Sequence, residues 1–460
     1  MKKLFLLAGL LTAGLSASAQ LSDVTDIDDL ALIYIGSQHR PEWGKEQFKP
    51  YVMHTYPNGT SSWMFDGFLM IEFQAYNANG SIVSFGESHG LGAQKSDWER
   101  LIKVQLGIET GQGCKALDDL IGELIPKLGK PGHKHKVVLT LPVAEAKSGI
   151  TWGSINGRKL NFQYQTDREE AMKWYIDYAI DLWNKAGFKN IELDGVYWTK
   201  EAFTQDYRAF LRNMNNYYKS RKLHTYWIPY LNAKGYDCWA DYGIEVAYQQ
   251  PNYYFNTDYP HSRLEQAVER AWNYNMGLEM EFEGYNYAWS AGMDKAQRYT
   301  PGNIGLYGLN PKYYQRLVDY IDYFEETEVF DFKPIAYYSG FQGVYDFEKS
   351  GHPKDKEVMD RLALLINKRH RISNWDKEPS AGIGEAVISD IRIAYGLEGA
   401  IYIDDSAEGD IAVYGIDGRL VYDNVATVES TRLTAGRTIP CQPGIYVVKA
   451  GSRSIKVAVK

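Results

Sequence analysis

Ile191-Glu192-Leu193-Asp194-Gly195-Val196-Tyr197-Trp198 follows a helical run from Thr166 to Ala186, with Gly187 just beyond that run. A period of two puts Glu192 and Asp194 on one face and Ile191 and Leu193 on the other. In the preceding run Ala171, Trp174, Tyr175, Tyr178, Leu182 and Trp183 recur at the spacing of one helix face, and Gly187 reads as its C-cap. Such a helix lies on a sheet. The apolar pair of the strand then meets helices and the two acids point inward, with Asp194 near the top of the strand.

The same alternation extends in both directions. Short β-branched and aromatic runs at Asp29 to Gly36, Trp63 to Phe73, Lys136 to Val143, Asn190 to Trp198, Leu223 to Leu231, Glu245 to Asn252, Gly277 to Tyr285 and Pro334 to Gly340 predict eight strands. Helical period is clearest at Thr166 to Ala186, Glu201 to Arg221, Ser262 to Tyr274, Asn310 to Thr327 and Lys354 to Arg369. Eight alternating units predict an α/β fold closed as a (β/α)8 TIM barrel over residues 20–374; an open doubly wound sheet is the alternative. Two connections are long. Gln74 to His135 holds a possible extra strand, Ser81 to Phe85, and two helical stretches, while Tyr285 to Pro311 is rich in Gly, Tyr, Asn and Trp. From Trp375 helical period disappears, and alternating runs separated by Asp417-Gly418 and Pro443-Gly444 predict a small C-terminal β-sandwich-like domain over 375–460. Its ending, Gly444 to Lys449 and then Ser454 to Lys460, resembles the C-terminal sorting domains of secreted enzymes. An accessory or sorting role, with cell-surface or secretion machinery as partner, is therefore expected.

Met-Lys-Lys, an apolar run from Leu4 to Leu15 and Ala17-Ser18-Ala19 form the three zones of a signal peptide over residues 1–19, and the protein is expected to be secreted. The apolar run is shorter than the roughly 20 residues that span a bilayer, no later stretch is long and apolar enough, and mean hydropathy is −0.41. Three cysteines, Cys114, Cys238 and Cys441, cannot make a disulfide framework, so the fold rests on its core. With a net charge of −8 and dispersed basic residues, no cationic stripe for nucleic acid is present. The chain instead has 36 Tyr and 12 Trp, many just after predicted strands. Most such rings fill cores, but rings with a polar tip also suit sugars, and an oligo- or polysaccharide is the expected partner.

In a barrel of this kind the chemistry sits at the C-terminal strand ends. Glu281, in Gly277-Leu278-Glu279-Met280-Glu281-Phe282-Glu283, is the leading candidate for nucleophile or base. Three acids on one strand face repel one another unless something compensates. Glu279 is deeper, with an Arg or Lys as expected partner, and Glu283 is higher, a substrate contact. Asp194 or Glu201 would be the acid, Glu201 having the alternative reading of a first-turn helix residue favoured by the macrodipole. Glu72 ends the second strand and would meet the cleft floor, whereas Asp66 lies near that strand's start, where stability is the usual role. Facing carboxyls from the fourth and seventh strands meet the need of glycoside hydrolysis, one protonating the departing oxygen and the other attacking or activating water. His39, Tyr197, Trp198, Tyr230, Asn232, Gln249, Asn252, Tyr253 and Tyr338 complete the expected substrate contacts, Tyr197 and Trp198 as a sugar platform; Ser37, Gln38, Arg40, Gln250, Tyr254 and Tyr337 are further rim positions.

His-Glu-x-x-His, Cys-x-x-Cys, a P-loop, Gly-x-Gly-x-x-Gly after the first strand and Gly-x-Ser-x-Gly are all missing, so no metal and no cofactor is expected. His133-Lys134-His135 is a weak metal signal at the structural end of the barrel. Trp63 to Leu69, Asp194 to Glu201 and Glu279-Met280-Glu281-Phe282 resemble the secreted bacterial family called domain of unknown function 4855, over Asp29 to Trp375. The resemblance implies a glycosidase-like barrel in a carbohydrate-utilisation setting and brings no settled activity. A secreted glycoside hydrolase acting on a neutral glycan is thus the leading expectation. A catalytically silent barrel that captures glycan is the alternative, and a structural surface protein is a third.

Overall fold

The computed structural model describes residues 24–37, 40–77, 79–86, 91–145, 151–284 and 305–372, and shorter stretches beyond: 394–397, 399–403, 411–415, 419–423, 437–450 and 453–459. The chain forms two compact units, 1–381 and 382–460. The expected boundary at 374/375 and the expected signal peptide, residues 1–19, lie outside the described residues.

Eight parallel strands close into a barrel in chain order. They are β1 (Asp29–Tyr34), β2 (Gly67–Ile71), β3 (His135–Leu141), β4 (Ile191–Trp198), β5 (His224–Trp227), β6 (Val246–Gln249), β7 (Gly277–Glu281) and β8 (Ile335–Tyr338). Each sits inside one of the eight predicted runs or within a residue of its end. Around them run α1 (Lys45–Val52), α2 (Lys95–Leu106), α3 (Gly113–Leu128), α4 (Gln165–Ala186), α5 (Arg208–Ser220), α6 (Ser262–Asn273), α7 (Pro311–Glu326), α8 (Gly343–Ser350) and α9 (Pro353–Ile372). The long second connection contains α2, α3 and a short strand Ile82–Ser84, paired antiparallel with Gln74–Tyr76. Among the described residues no helix is long and apolar enough to cross a membrane.

Strand register settles which side chains enter the barrel, because residues paired across parallel strands share a face. Trp198 pairs with Trp227. Trp198 donates its indole N–H to Asn215 of α5 at 2.9 Å, so this pair faces the helices. The neighbouring pair, Tyr197 with Tyr226, therefore faces the interior, as do Lys136 with Glu192, Glu279 with Ala336 and Glu281 with Tyr338. Tyr226 and Tyr248 fill the lower barrel beside glycines: a Cβ on Gly195 would lie 2.6 Å from the Tyr226 ring, and one on Gly277 2.6 Å from Tyr248. Close-packed interiors leave no room for either.

The base of the barrel is tied by charge. Asp29, at the start of β1, accepts the Tyr337 hydroxyl at 2.6 Å and Arg369 Nη1 of α9 at 2.8 Å, with His370 Nε2 at 2.9 Å. Burial alone would raise its carboxyl, yet Arg369 and His370 hold it below the usual range. Asp66 accepts the backbone N–H groups of Asp28 and Asp29 at 2.9 and 2.8 Å, and burial pushes it up to about 8. A raised acid favours the folded state only while protonated, so this contribution is complete below the ordinary carboxylate value and disappears as pH rises through about 8. Urea unfolding at pH 6 and pH 9 should show the wild type losing more stability than Asp66→Asn. Equal losses would remove Asp66 as the cause.

The described residues of the C-terminal unit form two antiparallel sheets. Ala394–Leu397, Ala400–Ile403 and Arg437–Pro440 form one; Leu420–Asp423, Ile411–Gly415, Gly444–Ala450 and Arg453–Val459 form the other. Ile401, Ile403, Val413, Val448 and Val457 are buried in its small core.

Candidate active site

Tyr34 ends β1 pointing inward, since it pairs with Ile71 on the face that holds Leu30 and Leu32. Its ring meets Tyr338 edge-on at 5.8 Å and Phe341 at 6.2 Å, and Tyr338 in turn meets Phe255 at 5.4 Å. Phe255 and Phe341 are exposed, so this aromatic run reaches solvent at the C-terminal end of the barrel. Tyr197 enters from β4 and is buried; its hydroxyl is held far above the ordinary range by burial, then by Glu201, Tyr34 and Glu279. These phenols stay protonated and present O–H donors.

Glu279 lies among them. It is 4% exposed, and burial, then the charges of Glu281 and Glu201, push its carboxyl well above the ordinary value. The expected Arg or Lys partner is absent among the described residues: no hydrogen bond and no ion pair to the Glu279 carboxyl is formed there. Glu201, just past β4 and half-buried, receives Gln250 Nε2 at 3.3 Å. It is a loop residue, ahead of α5, and not the first-turn helix residue of the alternative reading. Glu283, beyond β7, accepts the Tyr338 hydroxyl at 3.0 Å and is raised by burial.

Other expected acids have different occupations. Glu281 faces inward in register, but its carboxylate accepts the N–H groups of Asn252 and Tyr253, each at 3.0 Å, that of Tyr254 at 3.3 Å and the Tyr320 hydroxyl of α7 at 2.5 Å. Fully buried, it clamps the loop after β6 and has no lone pair turned to the cleft. Burial nevertheless lifts it to about 7 against those donors. Glu72 is buried in a two-pronged ion pair with Arg40, at 2.8 Å to Nε and 2.7 Å to Nη2, and does not form a cleft floor. Arg40 stacks on the rings of Tyr34 and Phe341, 4.7 and 5.0 Å from their centroids. Asp194 is not near the top. A bulge between Leu193 and Gly195 turns it into the lower barrel, where it accepts the Tyr226 hydroxyl and lies 3.2 Å from His224 Nδ1 and 4.0 Å from Lys136 Nζ.

Among the expected contacts, Trp198 is buried against α5 and cannot form a platform, and Tyr197 is an interior residue, not a rim ring. Gln249 faces the outer layer and sutures the chain by donating to Pro229 O at 3.2 Å and Tyr230 O at 3.3 Å. Tyr253 turns to α7, its hydroxyl on Asp319 at 2.8 Å and its ring under Arg316. Asn252 supports the loop, as its Oδ1 accepts the Leu231 N–H at 2.7 Å. Tyr230 and Asn232 are exposed beyond β5, and Tyr338 lies at the mouth. His39 lies outside the described residues. Sequence reasoning missed Tyr34, Phe255 and Phe341; counting in twos from Leu30 was enough to place Tyr34.

His135 of the weak metal signal is packed between the rings of Trp63 and Phe68. Ligand atoms of Asp29, Asp66 and His370 do lie within 4.8 Å of one another. There the Arg369 guanidinium already stands where a cation would neutralise Asp29.

Among solved structures the chain is similar to PbGH5A, a glycoside hydrolase family 5 enzyme from Prevotella bryantii B14, at 11% identity and a TM-score of 0.38, covering 75% of this chain and 98% of that one. A GH113 beta-1,4-mannanase is matched at 11% identity and a TM-score of 0.36, over 73% of this chain and 98% of the other. The oligopeptide-binding protein OppA of Bacillus subtilis (strain 168) is 26% identical over 214 residues, 45% of this chain and 35% of that protein. The chain thus spans about a third of that curated relative's length. The family described as domain of unknown function, DUF4855, matches residues 29–364, from the first residue of β1 into α9. With the match running through every strand of the closed barrel, the chain belongs to the DUF4855 family.

Proposed function

We propose that the C-terminal face of the barrel hydrolyses a glycosidic bond in a neutral oligo- or polysaccharide, with Glu279 as proton donor and Glu201 as the carboxylate that attacks the anomeric carbon or activates water. The observation that carries this reading is the inward, buried Glu279, held protonated by burial and by the charges of Glu281 and Glu201. A carboxyl that keeps its proton beside one that acts as base or nucleophile is the asymmetry acid–base hydrolysis needs. The hydroxyls of Tyr34, Tyr197 and Tyr338 suit sugar oxygens, and Phe255 and Phe341 offer ring faces. The Glu201 carboxylate at the mouth, with Glu283 beside Tyr338 there, disfavours a polyanionic glycan. Export through the signal residues 1–19, and an accessory or sorting role for the C-terminal unit, belong to the same proposal.

Capture without turnover is the second reading. The engagement of Glu281, Glu72 and Asp194 inside the protein favours it, since fewer acids then face the cleft. Incubating the purified protein with a panel of neutral glycans, with calorimetry for binding and reducing-end detection for product, separates the two. Product from any glycan supports hydrolysis. Binding without product across the panel overturns it in favour of capture.

A further inference from the structure

Hydrogen bonds around β6 form an unbroken path from the outer helix layer to Glu201. Tyr320 of α7 donates to Glu281 Oε2 at 2.5 Å. Glu281 Oε1 accepts the Asn252 N–H at 3.0 Å and lies 3.5 Å from Asn252 Nδ2. Asn252 Nδ2 donates to Gln250 Oε1 at 2.9 Å, and Gln250 Nε2 donates to Ile228 O at 2.9 Å and to Glu201 Oε1 at 3.3 Å. Gln250 is buried, and Asn252 holds a left-handed φ of 47°.

The polarity of this path follows from its ends. Glu281 accepts from three backbone N–H groups and the Tyr320 hydroxyl, and Asn252 turns Nδ2 toward the same carboxyl, at 3.5 Å from Oε1. Asn252 Oδ1 is fixed independently by the Leu231 N–H at 2.7 Å. With the Asn252 amide set, its second N–H meets Gln250 Oε1, and Gln250 must then present Nε2 to Ile228 O and Glu201. A flipped Gln250 would put its oxygen against a backbone carbonyl oxygen and a carboxylate, two acceptors facing an acceptor.

We propose that Gln250 is a positioning residue for Glu201, and that Asn252 and Glu281 act through it by fixing its amide. The inference rests on the reading of Glu201 as the working carboxylate. A donor on one oxygen holds the side chain in one orientation and favours its charged form.

Gln250→Leu removes the donor at similar size. It is expected to lower kcat about tenfold with KM within about twofold, the scale of one hydrogen bond to a charged group. The acid limb of the pH–rate profile should also move upward, because the ionised form of Glu201 loses support. Asn252→Asp deletes the donor to Gln250 and keeps the acceptor for Leu231, so it should reproduce part of both effects and carries the test if Gln250→Leu does not fold. Crystal structures of the variants read the geometry directly, and a rotated Glu201 side chain supports the proposal. A Glu201 that keeps its orientation, with the acid limb unmoved, overturns it, even if kcat falls through a looser loop. Should the wild type hydrolyse nothing, the hydrolase reading fails by itself, and the orientation of Glu201 in the variant structures still decides whether Gln250 positions it.

Discussion

Glu279→Gln is expected to lower kcat/KM on an unactivated glycan by about 10²–10⁴-fold, the usual scale of general acid–base catalysis, while the fold is retained. The substitution is close to isosteric, and the native carboxyl makes no hydrogen bond among the described residues, so no partner is left stranded. Folding should change little, since burial and the charges of Glu281 and Glu201 already keep the native carboxyl protonated and the amide that replaces it is neutral too. The loss should shrink on an aryl glycoside with an acidic leaving group, because an oxygen that departs easily as an anion needs no proton. That split distinguishes a proton donor from a binding residue. Turnover within a few-fold of wild type on the unactivated substrate would remove Glu279 from the mechanism.

The largest effect on stability is expected from Arg369→Leu, at about 3–5 kcal/mol, because it strips the guanidinium from a carboxylate that has no access to water. Asp29 is fully buried, and Arg369 Nη1 reaches both its Oδ1, at 2.8 Å, and the backbone oxygen of Asp28, at 3.1 Å. The bond ties the C-terminal end of α9 to the first strand, closing the barrel base. Asp29→Asn combined with Arg369→Leu should recover part of the loss, since it removes a buried charge that His370, at 2.9 Å, would otherwise offset alone. Urea unfolding of both variants measures this. A loss under about 1 kcal/mol for Arg369→Leu would place the pair with surface ion pairs.

Much of this architecture was legible in the chain. Strand runs such as Asp29 to Gly36 and Asn190 to Trp198 have a local cause, in that a buried parallel strand needs a short apolar or alternating segment and the helix after it needs one apolar face. The site was less legible. Trp198 sits one residue from Tyr197, and a single step along β4 turns it from the barrel interior to the helix layer, where Asn215 takes its N–H. Glu281 was placed on the correct face of β7, yet its role depends on Tyr320 and on the backbone after β6, none of them near it in sequence. Glu72 was placed at the right strand end, and its cation comes from Arg40 in the loop after β1.

Local periodicity by itself determined the number of strands, their order as βα units, and the presence of acids on β4 and β7, because each of these follows from neighbours along the chain. Only the closed barrel decided that Asp194 sinks to the base through a bulge, that Glu281 is consumed by hydrogen bonds and that Glu279, buried within reach of the Glu201 charge, has no hydrogen-bond partner among the described residues. The chemistry of a carboxyl is set by burial and by the charges and donors within a few ångströms, and those arrive from segments that meet only when the sheet closes.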